Sequence, residues 1–150
     1  MAFDNSKLTW FLKVDTMTYT TVLIVDDEPA VLDFVRKVLT RNGFECRTAE
    51  DAGQALAEMN KQRADLVVTD IHMPGSDGAW LLGTLKQQWP ELPVIMLSGN
   101  GEADTAMACI KSGAADYLVK PIEVSQLLSA VRAALGLGDA GQEDEPVNEA

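Results

Sequence analysis

Along this chain, short unbroken apolar runs alternate with stretches in which apolar residues recur every three or four positions. Val22–Val25, Leu66–Val68 and the interior of Pro93–Ser98 are continuous runs, the pattern of strands buried on both faces. Phe44–Ala49 and Asp116–Val119 are shorter strand candidates, and the central run extends to Asp65–Asp70. Between them, helical spacing predicts five amphipathic helices. The first begins at Pro29, with Val31, Phe34, Val35, Val38 and Leu39 inward, and stops at Asn42-Gly43. The second spans Asp51–Lys61 around Ala55, Leu56 and Met59; the third follows Gly78 with Leu81, Leu82 and Leu85 and stops before Pro90. Ala103, Ala106, Met107 and Ile110 are expected to face inward on a fourth helix ended by Gly113. Val124, Leu127, Leu128, Val131 and Leu135 do so on a fifth, closed by Gly136 and Gly138. Five strands alternating with five helices, with no internal repeat, predict an α/β fold: a doubly wound five-stranded parallel sheet.

That topology decides where chemistry can sit. Short right-handed crossovers bring the strand ends Asp26/Asp27, Asp70, Ser98 and Lys120 to one edge, and such sheets bind ligands at the carboxyl ends of their strands. Asp70 is the centre of this set, because an apolar strand ends there at a carboxylate followed by a Pro/Gly-rich turn. Three carboxylates drawn together repel: two unit charges about 4 Å apart cost roughly 4 kcal/mol at an effective dielectric of 20. A cation has to relieve this. Oxygen ligands without a thiolate or imidazole cluster favour Mg2+ over zinc. A carboxylate beside Mg2+ can attack a phosphoryl group and become an aspartyl phosphate, with the hydroxyl of Ser98 and the ammonium of Lys120 binding the phosphoryl oxygens.

Composition narrows the partners. The 150 residues are 47% hydrophobic and 23% charged, ordinary for one soluble globular domain, and the formal charge of −11 opposes electrostatic binding of nucleic acid or anionic lipid. Five of the acids lie from Asp139 onward, with no Lys or Arg among them. Residues 137–150 therefore read as an acidic disordered tail or linker. Residues 1–20 show no sustained period and read as an extension, disordered or vector-derived, with Met17 as an alternative start. The domain occupies 21–136. Cys46 and Cys109 fall in no disulfide or zinc pattern and read as small buried apolar residues. Without a signal sequence or an apolar run of membrane-spanning length, the expected location is the cytoplasm.

Four motifs carry a resemblance to a known family. They are Val-Leu-Ile-Val-Asp-Asp-Glu-Pro at 22–29, Asp-Ile-His-Met-Pro-Gly-Ser-Asp-Gly at 70–78, Leu-Ser-Gly at 97–99 and Gly-Ala-Ala-Asp-Tyr-Leu-Val-Lys-Pro at 113–121. In order and spacing the chain resembles the receiver domain of two-component response regulators, a flavodoxin-like (βα)5 fold. The resemblance implies that Asp70 accepts a phosphoryl group from a histidine kinase or phosphotransfer protein. It implies that Asp26 and Asp27 hold Mg2+, with Asp27 the direct ligand and His72 lending its backbone carbonyl, and that Lys120 pairs with the phosphoryl group. Ser98 would be the switch hydroxyl, Tyr117 the ring that turns inward behind it, and Lys120-Pro121 a cis bond. The readout surface would span 102–135 and serve a downstream protein or a missing effector domain, with phosphorylation-dependent homodimerisation. The chain would not be an enzyme toward external substrates; it would catalyse only its own aspartyl phosphorylation and dephosphorylation.

Each residue has a plainer use. Asp26 or Asp27 alone suits a helix N-cap beside Pro29, Lys120 a solvated surface, Tyr117 a half-buried strand position, and Asp77 a turn. Ser98 replaces the family's more frequent threonine, keeping the hydroxyl but losing the β-branch. His72, two residues past Asp70, has the plain reading of an exposed loop residue; the functional reading is that its side chain overlooks the site and tunes aspartyl phosphate lifetime through the attacking water. Rival functions are a Mg2+-dependent phosphatase with an Asp nucleophile, disfavoured because His72 stands where a second Asp would be expected, and an FMN carrier, disfavoured because Asp26-Asp27-Glu28 would repel the flavin phosphate. A docking-only pseudo-receiver is the third.

Overall fold

A computed structural model describes residues 20–73, 78–99 and 103–137. The elements follow the predicted alternation: β1 Thr21–Val25, α1 Pro29–Arg41, β2 Glu45–Ala49, α2 Ala52–Lys61, β3 Leu66–Asp70, α3 Gly78–Gln88, β4 Val94–Ser98, α4 Ala103–Lys111, β5 Asp116–Val119 and α5 Val124–Ala134. All strands are parallel, in the order β2-β1-β3-β4-β5. The predicted class is the observed one. Strand boundaries differ by single residues: Phe44, Asp65 and Pro93 precede their strands.

Side-chain alternation splits the core into two layers. On one face, Val22, Ile24, Leu66, Val68, Ile95 and Leu97 pack under α1 and α5 through Val35, Leu39, Leu127 and Val131. On the other, Leu23, Val25, Val67, Val94 and Met96 meet α2, α3 and α4 through Met59, Leu81, Leu85 and Cys109. The strands built on apolar runs, β1, β3 and β4, are almost wholly buried and are the three inner strands of the sheet, whereas edge strands β2 and β5 keep mixed burial. Local signals do their expected work at the helix ends. The Asp51 carboxylate accepts the Gln54 N–H at 2.8 Å as the N-cap of α2, and Pro29 occupies the first turn of α1.

Some predicted inward positions are exposed. On α4, Ala103, Met107 and Ile110 face solvent, Ala106 is half-buried, and the buried residue is Cys109. The helix ends where the Ala114 N–H returns to the Cys109 carbonyl at 3.0 Å through a turn that needs Gly113 at φ +106°, and it packs on the core through Cys109. Phe34 on α1 and Val124 on α5 are also exposed, at the rims of their helices. Both thiols are free; Cys109 is buried and Cys46 half-buried, and burial raises the pKa of each. No helix among the described residues is long and apolar enough to cross a membrane. The expectations for an N-terminal extension, an acidic tail and a turn at Asp77 fall, apart from Thr20 and Leu137, outside the described residues.

Candidate functional site

β1 and β3 are neighbours, and beyond β1 the chain order reverses toward β2, so the crevice between their carboxyl ends is the topological switch point. Register places Val25 beside Thr69, which brings the next residues, Asp26 and Asp70, to the two lips of that crevice. Alternation puts Asp26, Asp70 and Lys120 in phase with Ile24, Val68 and Leu118, on the α1/α5 side. Ser98 is in phase with Val94 and Met96, on the opposite side, where Tyr117 packs.

Asp26 is fully buried, Asp70 is 4% exposed and Asp27 is exposed. One oxygen from each lies within 4.8 Å of the others. Lys120 reaches into the group from the end of β5, its Nζ 3.0 Å from Asp26 Oδ2, 3.0 Å from Glu28 Oε1 and 3.5 Å from Asp70 Oδ1. Three carboxylates thus surround one ammonium, with Asp27 a fourth acid beside them. Burial raises the pKa of Asp26, with the Glu28 N–H, donated to Asp26 Oδ1 at 2.9 Å, and Lys120 opposing it. Burial, then the charge of Asp26, raises that of Asp70 against Lys120 and a hydrogen bond from the His72 N–H. Burial works against the charge of Lys120, but Asp26 and Glu28 prevail, and its pKa lies above the ordinary lysine value. The cluster lacks positive charge. Its donors are all carboxylate oxygens and one of them faces solvent, which fits a hard divalent cation that keeps some of its water.

Ser98 is fully buried at the end of β4, and its carbonyl accepts the Lys120 N–H at 2.7 Å. Tyr117 is half-buried on β5, and His72 is exposed. Lys120-Pro121 is cis, as the resemblance implied. The structure thus brings Asp26, Asp27, Asp70 and Lys120 together, with Ser98 beside them through the backbone and His72 adjoining Asp70 through its own N–H.

Two contributors escaped the sequence reading. Glu28 is one, and its acidic neighbours were the available signal. Gly78 is the other: an ideal Cβ there would lie 2.1 Å from the Asp70 carbonyl oxygen and 2.8 Å from Ile71 Cα. The start of α3 lies against the backbone of Asp70 and Ile71, and the Gly78 N–H donates to the Ile71 carbonyl at 2.8 Å. Ser-Asp-Gly looked like ordinary turn chemistry, which hid this steric demand.

Comparison with known proteins agrees with this geometry. The response regulator receiver domain family matches residues 22–132. The nitrogen assimilation regulatory protein NtrX of Azorhizobium caulinodans is 44% identical over 116 residues, covering 76% of this chain and 26% of that protein. Among solved structures, the receiver domain of NtrX from Brucella abortus superposes with a TM-score of 0.74 at 43% identity, covering 78% of this chain and 99% of that one. The chemotaxis response regulator CheY4 of Vibrio cholerae gives 0.74 at 30% identity, covering 79% and 100%. The chain spans about a quarter of the length of the first curated relatives it matches. On fold, switch-point chemistry and sequence together, the chain belongs to the response regulator receiver domain family.

Proposed function

We propose that this chain is a phosphoacceptor receiver in which Asp70 takes a phosphoryl group from the phosphohistidine of a kinase or phosphotransfer protein. The observation that carries the reading is the approach of three carboxylates within 4.8 Å, one of them buried at the end of the central strand with an ammonium 3.5 Å away. An Asp70 carboxylate oxygen attacks phosphorus, the phosphorus–nitrogen bond breaks, and the leaving imidazole keeps the electron pair and takes up a proton. Asp26, Asp27, Asp70 and the His72 carbonyl would hold Mg2+, which when bound neutralises the charge developing on the phosphoryl oxygens. Lys120 binds one of those oxygens and the Ser98 hydroxyl another. In the return step water attacks phosphorus, inorganic phosphate leaves and the Asp70 carboxylate is restored. No external substrate is turned over.

Phosphorylation then biases a pre-existing equilibrium of the surface over 102–135, with Ser98 and Tyr117 as the moving pair. The receiver unit runs over 21–136, and its partner is a downstream protein or an effector domain joined through an acidic linker at 137–150. The acidic charge makes nucleic acid an unsuitable direct partner, and the setting is cytoplasmic. If that surface self-associates, sedimentation velocity will show a dimer after phosphorylation and not before; one unchanged profile would count against it.

The reading is tested by intact-mass measurement after incubation with acetyl phosphate, with and without Mg2+. A Mg2+-dependent gain of one phosphoryl mass is expected. No gain from either acetyl phosphate or a histidine kinase would leave a docking-only module. His72→Ala is expected to change the dephosphorylation rate severalfold, because His72 adjoins Asp70 through its backbone N–H and its side chain is exposed to solvent; an unchanged lifetime would reject that role.

A further inference from the structure

Glu28 is the one carboxylate on Lys120 that lies outside the acidic trio suited to a cation. It occupies the N-cap position of α1, yet its side chain makes no capping hydrogen bond. Glutamate is a poor N-cap, and this one reaches Lys120 instead. Its Oε1 lies 3.0 Å from Nζ, as close as Asp26 and closer than Asp70.

An ammonium has three N–H donors, and here three carboxylates surround it. Asp70 holds it only at 3.5 Å, so drawing Nζ into hydrogen-bond distance of phosphoryl oxygens on Asp70 pulls it away from the two partners it holds at 3.0 Å, Asp26 and Glu28. Asp26 is wholly buried, and losing its cation there would be costly. The Glu28 side chain is 59% exposed, so water can replace the lysine. We infer that Glu28 is a positioning residue that parks Lys120 in the unphosphorylated state, and that phosphorylation exchanges the Glu28–Lys120 ion pair for a Lys120–phosphoryl pair. Glu28 thereby slows loading of Asp70. This inference rests on the phosphoacceptor reading above.

The test is the rate of phosphoryl gain from acetyl phosphate at saturating Mg2+, followed by intact mass, with Mg2+ affinity measured by calorimetry. Glu28→Gln is expected to load about threefold faster, the size of a part-exposed ion pair, with Mg2+ affinity changed less than about twofold. Glu28→Asp keeps the charge but is one methylene shorter and caps the helix better; it is expected to load faster as well. In a Lys120→Gln background, Glu28→Gln is expected to have no effect on the residual rate. Equal rates for Glu28→Gln and wild type would overturn the inference. So would a Glu28→Asp variant that matches wild type, or a threefold gain that persists without Lys120, since either would mean plain repulsion of the donor. A wild type that takes no phosphoryl group would overturn the phosphoacceptor reading together with this one, which separates the two failures.

Discussion

Asp70→Asn is expected to abolish the gain of phosphoryl mass and, at the same time, to make the metal-free protein more stable at neutral pH. The first effect follows from chemistry: an amide oxygen is a far weaker nucleophile than a carboxylate, so loading should fall by at least about a thousandfold. The second follows from the crowding of Asp26, Asp27 and Asp70 within 4.8 Å. Removing one of the three charges should gain roughly 1–2 kcal/mol once the lost attraction of Lys120 is subtracted. The pH dependence has a definite sign. The carboxyls of Asp26 and Asp70 both titrate above 3.8 in the folded protein, so between 3.8 and their folded values the native state binds more protons than the unfolded one. Stability of the wild type relative to the variant must fall as pH rises through that window, and the two should converge below about pH 4. Denaturant titrations of both proteins from pH 3 to 8 without metal would show it. Saturating Mg2+ should shrink the difference at neutral pH, because the cation supplies the charge that the fold lacks. A variant less stable than wild type at pH 7 would contradict the repulsion argument, and one that still gains a phosphoryl group would move the acceptor elsewhere.

Gly78→Ala should be strongly destabilising, since among the described glycines it is the one whose added Cβ would run into backbone. The added methyl would meet the Asp70 carbonyl oxygen at 2.1 Å and Ile71 Cα at 2.8 Å, and both are backbone atoms that cannot rotate away. Relief requires the start of α3 to move off the end of β3, breaking the hydrogen bond from Gly78 to Ile71. Overpacking of this kind costs about 3 kcal/mol, or a fall in Tm of roughly 10 °C for a domain of this size. Scanning calorimetry checks the figure, and an unchanged Tm would refute the close approach. Because the shifted turn carries His72, calorimetric Mg2+ affinity should also drop in whatever fraction stays folded. Gly83, whose added Cβ would meet nothing within 4 Å, provides the control: Gly83→Ala on the same helix should be neutral or stabilising.

How much was legible beforehand follows from the range of each interaction. Strand and helix identities came from residues a few positions apart, and the three inner strands stood out because burial on both faces demands unbroken apolar runs such as Leu66–Val68. The gathering of Asp26, Asp70, Ser98 and Lys120 at one edge followed from the handedness of parallel crossovers, which needs no coordinates. The inward face of α4 was misread because the helix packs on the core through Cys109 while the apolar Met107 and Ile110 face solvent, a choice its own period does not reveal. Glu28 was passed over because its partner, Lys120, lies 92 residues away in the chain; its acidic neighbours signalled a charged cluster but not which cation it would meet. Gly78 was taken for turn chemistry because its necessity arises from the distance between two backbones. The sequence by itself thus determined the order of elements, the layers they form and the edge that gathers Asp26, Asp70, Ser98 and Lys120, since these depend on periodicity and chirality. Only the tertiary structure decided which carboxylates share the ammonium, how deeply each is buried and where a methyl group cannot fit, because those depend on ångström-scale separations between segments that no local pattern encodes.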